Sequence, residues 1–127
     1  MEVIKIIGTD DTPSVTLDAQ NEIFEISGRS LPEDVAAFYE PILDWLDRYA
    51  EEPNEKTVFN FKLVYFNTAS SKLILDILLK LEEMHEDDKE ILIRWHFPED
   101  DEDMEEAGEE YADIVEVPFE QVSYSLD

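Results

Sequence analysis

The segment Val64-Tyr65-Phe66-Asn67-Thr68-Ala69-Ser70-Ser71-Lys72-Leu73 sets an amide and three hydroxyls between an apolar strand pattern that stops at Phe66 and a helical stripe that begins at Leu73. Asn, Thr and Ser satisfy the unpaired N–H groups of a helix start, and Thr68 is the natural N-cap. A hydroxyl at such a place is also well suited to accept a phosphoryl group. The added charge, about −1.5 to −2 at pH 7, would sit against free amides and the positive end of the helix dipole. Capping alone accounts for the same residues, and spacing does not decide between the two.

The rest of the chain offers little other chemistry. There is no P-loop, no G-x-G-x-x-G, no G-x-S-x-G and no H-E-x-x-H, and the 3 glycines, at positions 8, 28 and 108, leave no raw material for a phosphate-cradling loop. His85 and His96 fall on different elements, with no partnered nucleophile to serve as catalytic bases. The absence of cysteine removes disulfides, thiol nucleophiles and Cys-based metal sites. The acidic tract from Glu99 to Glu110 invites a calcium reading, but the glycine that an EF-hand loop needs at its sixth position is missing when Asp100 or Asp101 is taken as the first ligand. A solvated helix start explains the tract, and a docking face for a basic partner is the functional alternative. No catalytic residue, metal or cofactor is expected.

At 127 residues there is room for one compact core, and residues 1–127 are expected to form a single domain. The chain carries 9 Lys plus Arg against 34 Asp plus Glu, a formal net charge of −25, which opposes direct binding to nucleic acid or anionic lipid. The same charge favours a basic partner and a monomer. A hydrophobic content of 43% argues for a folded domain and against an acidic tail. The N-terminus runs into Asp10-Asp11 without a long apolar region, and no stretch is long enough to span a bilayer, so a soluble cytoplasmic protein is expected.

Periodicity supplies the elements that must position the hydroxyl segment. Val15 to Leu17 and Ile23 to Ile26 read as a hairpin around the turn Asp18-Ala19-Gln20-Asn21. Ser30-Leu31-Pro32-Glu33 reads as a helix start, followed by an apolar stripe through Val35, Phe38, Tyr39, Ile42, Leu46 and Tyr49. From Thr57 to Phe66 the period changes to two, with Phe59, Phe61, Leu63 and Tyr65 on the richer face. Leu73, Ile74, Ile77, Leu78 and Leu81 form a second helical stripe, closed by the polar run Glu82 to Glu90, and Ile91, Ile93, Trp95 and Phe97 form another strand. The acidic tract is a weak third helix, and Val115 to Val117 with Phe119 to Tyr124 return as a last strand. The alternation predicts a two-layer α/β sandwich: a mixed sheet with crossover helices mainly on one face.

The chain resembles the SiaC family of bacterial regulatory phosphoproteins, STAS-like domains similar in fold to the anti-sigma factor antagonist SpoIIAA. The resemblance runs through Gly8-Thr9, Thr12-Pro13, Leu17-Asp18, Ile26-Ser27-Gly28, Ser30, Pro32-Glu33, Pro41-Ile42, Trp45-Leu46, Leu75-Asp76-Ile77-Leu78 and Trp95-His96. Its specific part is the central Tyr65-Phe66-Asn67-Thr68-Ala69-Ser70-Ser71-Lys72. It implies a non-catalytic switch phosphorylated at Thr68 by a GHKL-type serine/threonine kinase and dephosphorylated by a PP2C-type phosphatase. In the characterised branch the unphosphorylated form activates a diguanylate cyclase, which raises cyclic di-GMP and favours biofilm. Asn67-Thr68 stands where the older STAS pattern has an aspartate before a phosphorylated serine, and Ser70 and Ser71 are nearby hydroxyls.

On this reading a partner docks around Asn67, Thr68, Ser70, Ser71 and Lys72, and a dianion at Thr68 breaks the contact. Asn67 is expected to shape the turn, Ser70 and Ser71 to cap or line the contact, and Lys72 to lie too far round the helix to neutralise the phosphate fully. Two other readings stand beside it: a small acidic enzyme or metal-binding protein, and an acidic docking module or nucleic-acid mimic indifferent to Thr68.

Overall fold

A computed structural model describes residues 1–125. The elements follow as β1 (Ile4–Ile6), β2 (Ser14–Asp18), β3 (Ile23–Ser30), α1 (Val35–Glu51), β4 (Lys56–Phe66), α2 (Thr68–Glu86), β5 (Glu90–Pro98), α3 (Glu102–Ile114) and β6 (Phe119–Tyr124). They build one six-stranded sheet in the order β1-β2-β3-β4-β5-β6, antiparallel from β1 to β3 and parallel from β3 to β6. The three crossovers step the same way across the sheet, so crossovers of one hand put all three helices on the same side. This is the expected two-layer arrangement, extended by β1, a short strand that the sequence pattern did not mark.

Alternation within the strands sorts the two faces. Val15, Leu17, Phe24, Ile26, Phe59, Phe61, Ile91, Ile93 and Trp95 point into the helix layer and are fully or almost fully buried. Under α1, Phe24 meets Trp45 and Tyr49, whose rings stack with centroids 5.1 Å apart. Under α3, Trp95 meets Phe61, Phe66, Tyr111 and Phe119, and its indole N–H donates to the Met104 carbonyl at 2.9 Å. Gly108 makes this approach possible: a Cβ there would lie 2.5 Å from Trp95 Cδ1.

The outer face is polar, with Lys62 paired to Glu25 at 2.9 Å and His96 Nε2 at 2.9 Å from Asn60 Oδ1. Burial, together with the charge of Lys62, lowers the His96 pKa from the ordinary histidine range; Arg94 adds to this, while Glu25 and Glu120 oppose it. The unfolded chain therefore takes up a proton that the native state resists, and native stability falls as pH drops through about 6.5. Urea denaturation at pH 7.5 and 5.5 should show a larger loss in the wild type than in His96→Gln. Equal losses in the two proteins would show that this ring is not responsible.

Two local assignments are corrected. The first helix is capped by Asp34, whose side chain accepts from the Ala37 N–H at 3.1 Å, and not by Ser30. Ser30 instead ends β3 and is fully buried. In β4 the register with β3 passes from Gly28↔Leu63 to Arg29↔Tyr65, which leaves Val64 as an extra residue. A bulge of this kind reverses the side-chain alternation beyond it. Tyr65, expected in the core, is therefore 46% exposed under the Arg29 guanidinium, and Phe66 turns inward onto Trp95 and Tyr111.

Candidate functional site

The inward turn of Phe66 determines where the hydroxyl segment starts. The Asn67 N–H donates to the Ser30 carbonyl at 3.1 Å, continuing the β3–β4 pairing by one more bond. The chain then enters α2 with Asn67 as N-cap, its side-chain oxygen accepting from the Ser70 N–H at 2.8 Å. Thr68 is the first helical residue and not the cap. Both residue types cap well; here the amide does so and leaves the threonine side chain free. Thr68 is exposed, and among the described residues its hydroxyl has no hydrogen-bond partner.

The three hydroxyls of the segment have different environments. Ser71 is half-buried and donates back to the Thr68 carbonyl at 2.6 Å. Ser70 is fully buried, so it does not line a contact surface as expected. Its hydroxyl donates to the Ser30 carbonyl at 2.9 Å and accepts from the Ser30 hydroxyl at 2.9 Å, while Tyr39 Oη lies 2.6 Å from Ser30 Oγ. Because Ser30 spends its only proton on Ser70, Tyr39 must be the donor at the head of the relay. The relay ties α1, the end of β3 and the first turn of α2 together beneath Thr68.

Lys72 is exposed one turn beyond Thr68. Residues four apart on a helix are neighbours, so Lys72 and Thr68 lie on the same side of α2. On the other flank the Tyr111 hydroxyl donates to the Ser71 carbonyl at 2.8 Å, which fastens α3 to the same turn. Burial, with Tyr39 and Glu110 adding, holds the Tyr111 phenol well above its ordinary range, so it keeps its proton. Ser30, Tyr39 and Tyr111 are supporting residues that sequence spacing did not reveal. Their partners lie 9 or 40 positions away in the chain, and no local pattern encodes that.

The electrostatics of the two helix starts differ. The first turn of α2 holds no acidic residue, whereas that of α3 holds Glu102, Asp103 and Glu105 behind the cap Asp101. In a chain at −25 the start of α2 is therefore a place where the helix dipole faces solvent without nearby first-turn carboxylates. The acidic tract begins a solvated helix, and no group of His, Asp or Glu among the described residues is arranged to hold a metal. His85 lies in the last turn of α2 and His96 on the outer face of β5, apart from the hydroxyl segment. Among the described residues no helix is long and apolar enough to cross a membrane.

Fold and site together define a small mixed α/β domain with an exposed threonine at the start of its second helix. Residues 6–124 match the family described as SiaC family regulatory phosphoprotein, and the chain belongs to that family. SiaC of Pseudomonas aeruginosa has the same fold, with a TM-score of 0.89 and 29% identity over 98% of this chain and 100% of that one. A similar match, with a TM-score of 0.89 and 30% identity over 95% of this chain and 99% of that one, is found in the crystal structure of the diguanylate cyclase SiaD in complex with its activator SiaC from Pseudomonas aeruginosa. A functionally uncharacterised protein of Pseudomonas aeruginosa strain UCBPP-PA14 is 31% identical over 119 residues, 94% of each chain.

Proposed function

We propose that residues 1–127 act as one non-catalytic module in the cytoplasm, switched by reversible phosphorylation of Thr68. In the unphosphorylated form the surface around Asn67, Thr68, Ser71 and Lys72 docks and activates an effector such as a diguanylate cyclase. A GHKL-type kinase adds the phosphate, a PP2C-type phosphatase removes it, and the output is cyclic di-GMP and biofilm formation. The observation that carries the reading is the exposed, unpartnered Thr68 hydroxyl on the first residue of α2. The activator role of the structurally similar SiaC supports it.

Mechanistically the switch is local. With the chain already at −25, two further charges alter its long-range field by a small fraction. A dianion at Thr68 is stabilised in the free protein by the amide end of α2 and by neighbouring Lys72. Within a partner contact the same dianion must be stripped of water, which costs far more than it does at an open surface.

The test is kinase labelling of wild type and Thr68→Ala, followed by effector pulldown of unmodified and phosphorylated protein at two ionic strengths. Labelling should vanish in the variant, and phosphorylated wild type should lose the effector. Label persisting on Ser71 would overturn the assignment. Capture that falls steeply with salt and ignores phosphorylation would favour an acidic docking module or nucleic-acid mimic.

A further inference from the structure

Near the start of α2 a trough runs along α3, facing α2 at one end and the end of β4 at the other. Two hollows, of about 240 and 230 Å³, share Phe66 and Ala107 as floor. The first is walled by Leu75 and Ile114, and the second by Val64, Tyr65 and Met104. Along α3 the lining spans residues 103 to 114, which at 1.5 Å per residue is about 16 Å, or three helical turns. Three of its apolar side chains stand in solvent: Val64 at 43%, Tyr65 at 46% and Ile114 at 55% exposure. The bulge at Val64 contributes directly, because it turns Tyr65 outward and sets Phe66 as the floor.

Charge identifies the occupant. The lining carries the carboxylates Asp101, Asp103 and Glu110 and no residue of α3 is a cation, so the α3 side of the trough is acidic. Its other rim, on α2, carries Ser71, Lys72 and Leu75 and no carboxylate. We propose that this trough seats an amphipathic, basic helix of a partner protein. Two apolar anchors on one face of that helix fill the hollows, and Lys or Arg side chains flanking them meet the α3 carboxylates. The proposal rests on the reading of the start of α2 as a partner surface and adds the chemistry of what binds there. Thr68 lies one helical turn before Lys72, on the helix that supplies the trough's rim without carboxylates.

The test uses three synthetic 18-residue peptides: an amphipathic Leu/Lys helix, a scrambled isomer of the same composition, and an amphipathic Leu/Glu helix. At moderate salt the full chain should bind the first at least about tenfold more tightly than either other peptide. Ile114→Ser should abolish that preference, and Ile23→Ser, on the outer sheet face, should leave it intact. Backbone amide shifts on titration should centre on Phe66, Lys72, Leu75, Ala107 and Tyr111. Equal binding of the scrambled isomer, a preference retained in Ile114→Ser, or shifts centred on the outer strand face would each overturn the trough. Kinase labelling of Thr68 in the same preparations tests the switch separately. Labelling that survives when the peptide preference fails removes the trough and leaves the switch, and labelling absent from wild type removes the switch.

Discussion

Trp95→Ala should destabilise the protein by about 3–5 kcal/mol and lower its Tm by roughly 10–20 °C. Trp95 is fully buried, and its ring centroid lies 5.5 Å from Phe61, 5.4 Å from Tyr111, 6.1 Å from Phe66 and 6.4 Å from Phe119. Truncation removes the largest side chain between β5 and α3, and Gly108, which offers no side chain, cannot fill the space. The Met104 carbonyl also loses the indole donor it receives at 2.9 Å. The damage should be uneven: amides of α3 should exchange with solvent faster than those of α1, whose aromatic contacts are with Phe24 and within its own stripe. Denaturant titration gives the total, and hydrogen exchange gives its distribution. A total loss below about 1 kcal/mol would mean that α3 is held by something other than this cluster.

Because α3 forms one wall of the surface beside Thr68, this cluster is also where stability meets function. Tyr111 packs on Trp95 and Phe66 with its ring and holds the Ser71 carbonyl with its hydroxyl. Loosening Trp95 therefore loosens the flank of the candidate site without touching Thr68. A variant that loses effector binding while Thr68 labelling persists would show the two roles separated.

The parts of the fold that were legible in the sequence are those governed by periodicity. The stripes of α1 and α2 and the alternation in β4 and β5 each repeat over many residues, and the order of elements follows from them. What was missed depends on contacts across the chain. The bulge is one extra residue in an unbroken apolar run, and the alternation Val64-Tyr65-Phe66 reads equally well in either phase until β3 fixes the register. Ser30 carries the local signature of a cap, yet its hydroxyl is claimed by Tyr39 and Ser70, the latter 40 positions away. The polar run Glu82 to Glu90 reads as closing the second stripe, but α2 continues through the first part of it to Glu86, with Met84 still buried. Asn67 and Thr68 are both good caps, and only the extra strand bond from Asn67 to Ser30 shows which of them turns the chain.

That same relay separates Thr68 from Ser70 in a way a pair of carboxylate substitutions should expose. Thr68→Asp places a negative charge on the exposed first residue of α2, where the dipole and the acid-free first turn accept it, so stability should stay within about 1 kcal/mol of wild type. Ser70→Asp puts a carboxylate into a fully buried position whose neighbours are the Ser30 hydroxyl, the Ser30 carbonyl and the Asn67 cap. The carbonyl repels it, one hydroxyl donor is too little to replace water, and no cation is in the relay. An uncompensated buried charge of this kind costs about 3–5 kcal/mol, so the protein should be largely destabilised or its α2 start displaced. Ser70→Ala serves as the uncharged control and should cost about 1–3 kcal/mol, because it leaves the Ser30 hydroxyl without its acceptor. Denaturation of the three variants at pH 7 measures the order, and raising the salt concentration should not rescue Ser70→Asp, since a buried charge is poorly screened. If Ser70→Asp proved as stable as Thr68→Asp, burial would no longer distinguish the hydroxyls and a kinase could use either. If the order holds, a phosphate of still greater charge is excluded from Ser70, and of this pair only the Thr68 hydroxyl stands in solvent at the head of α2.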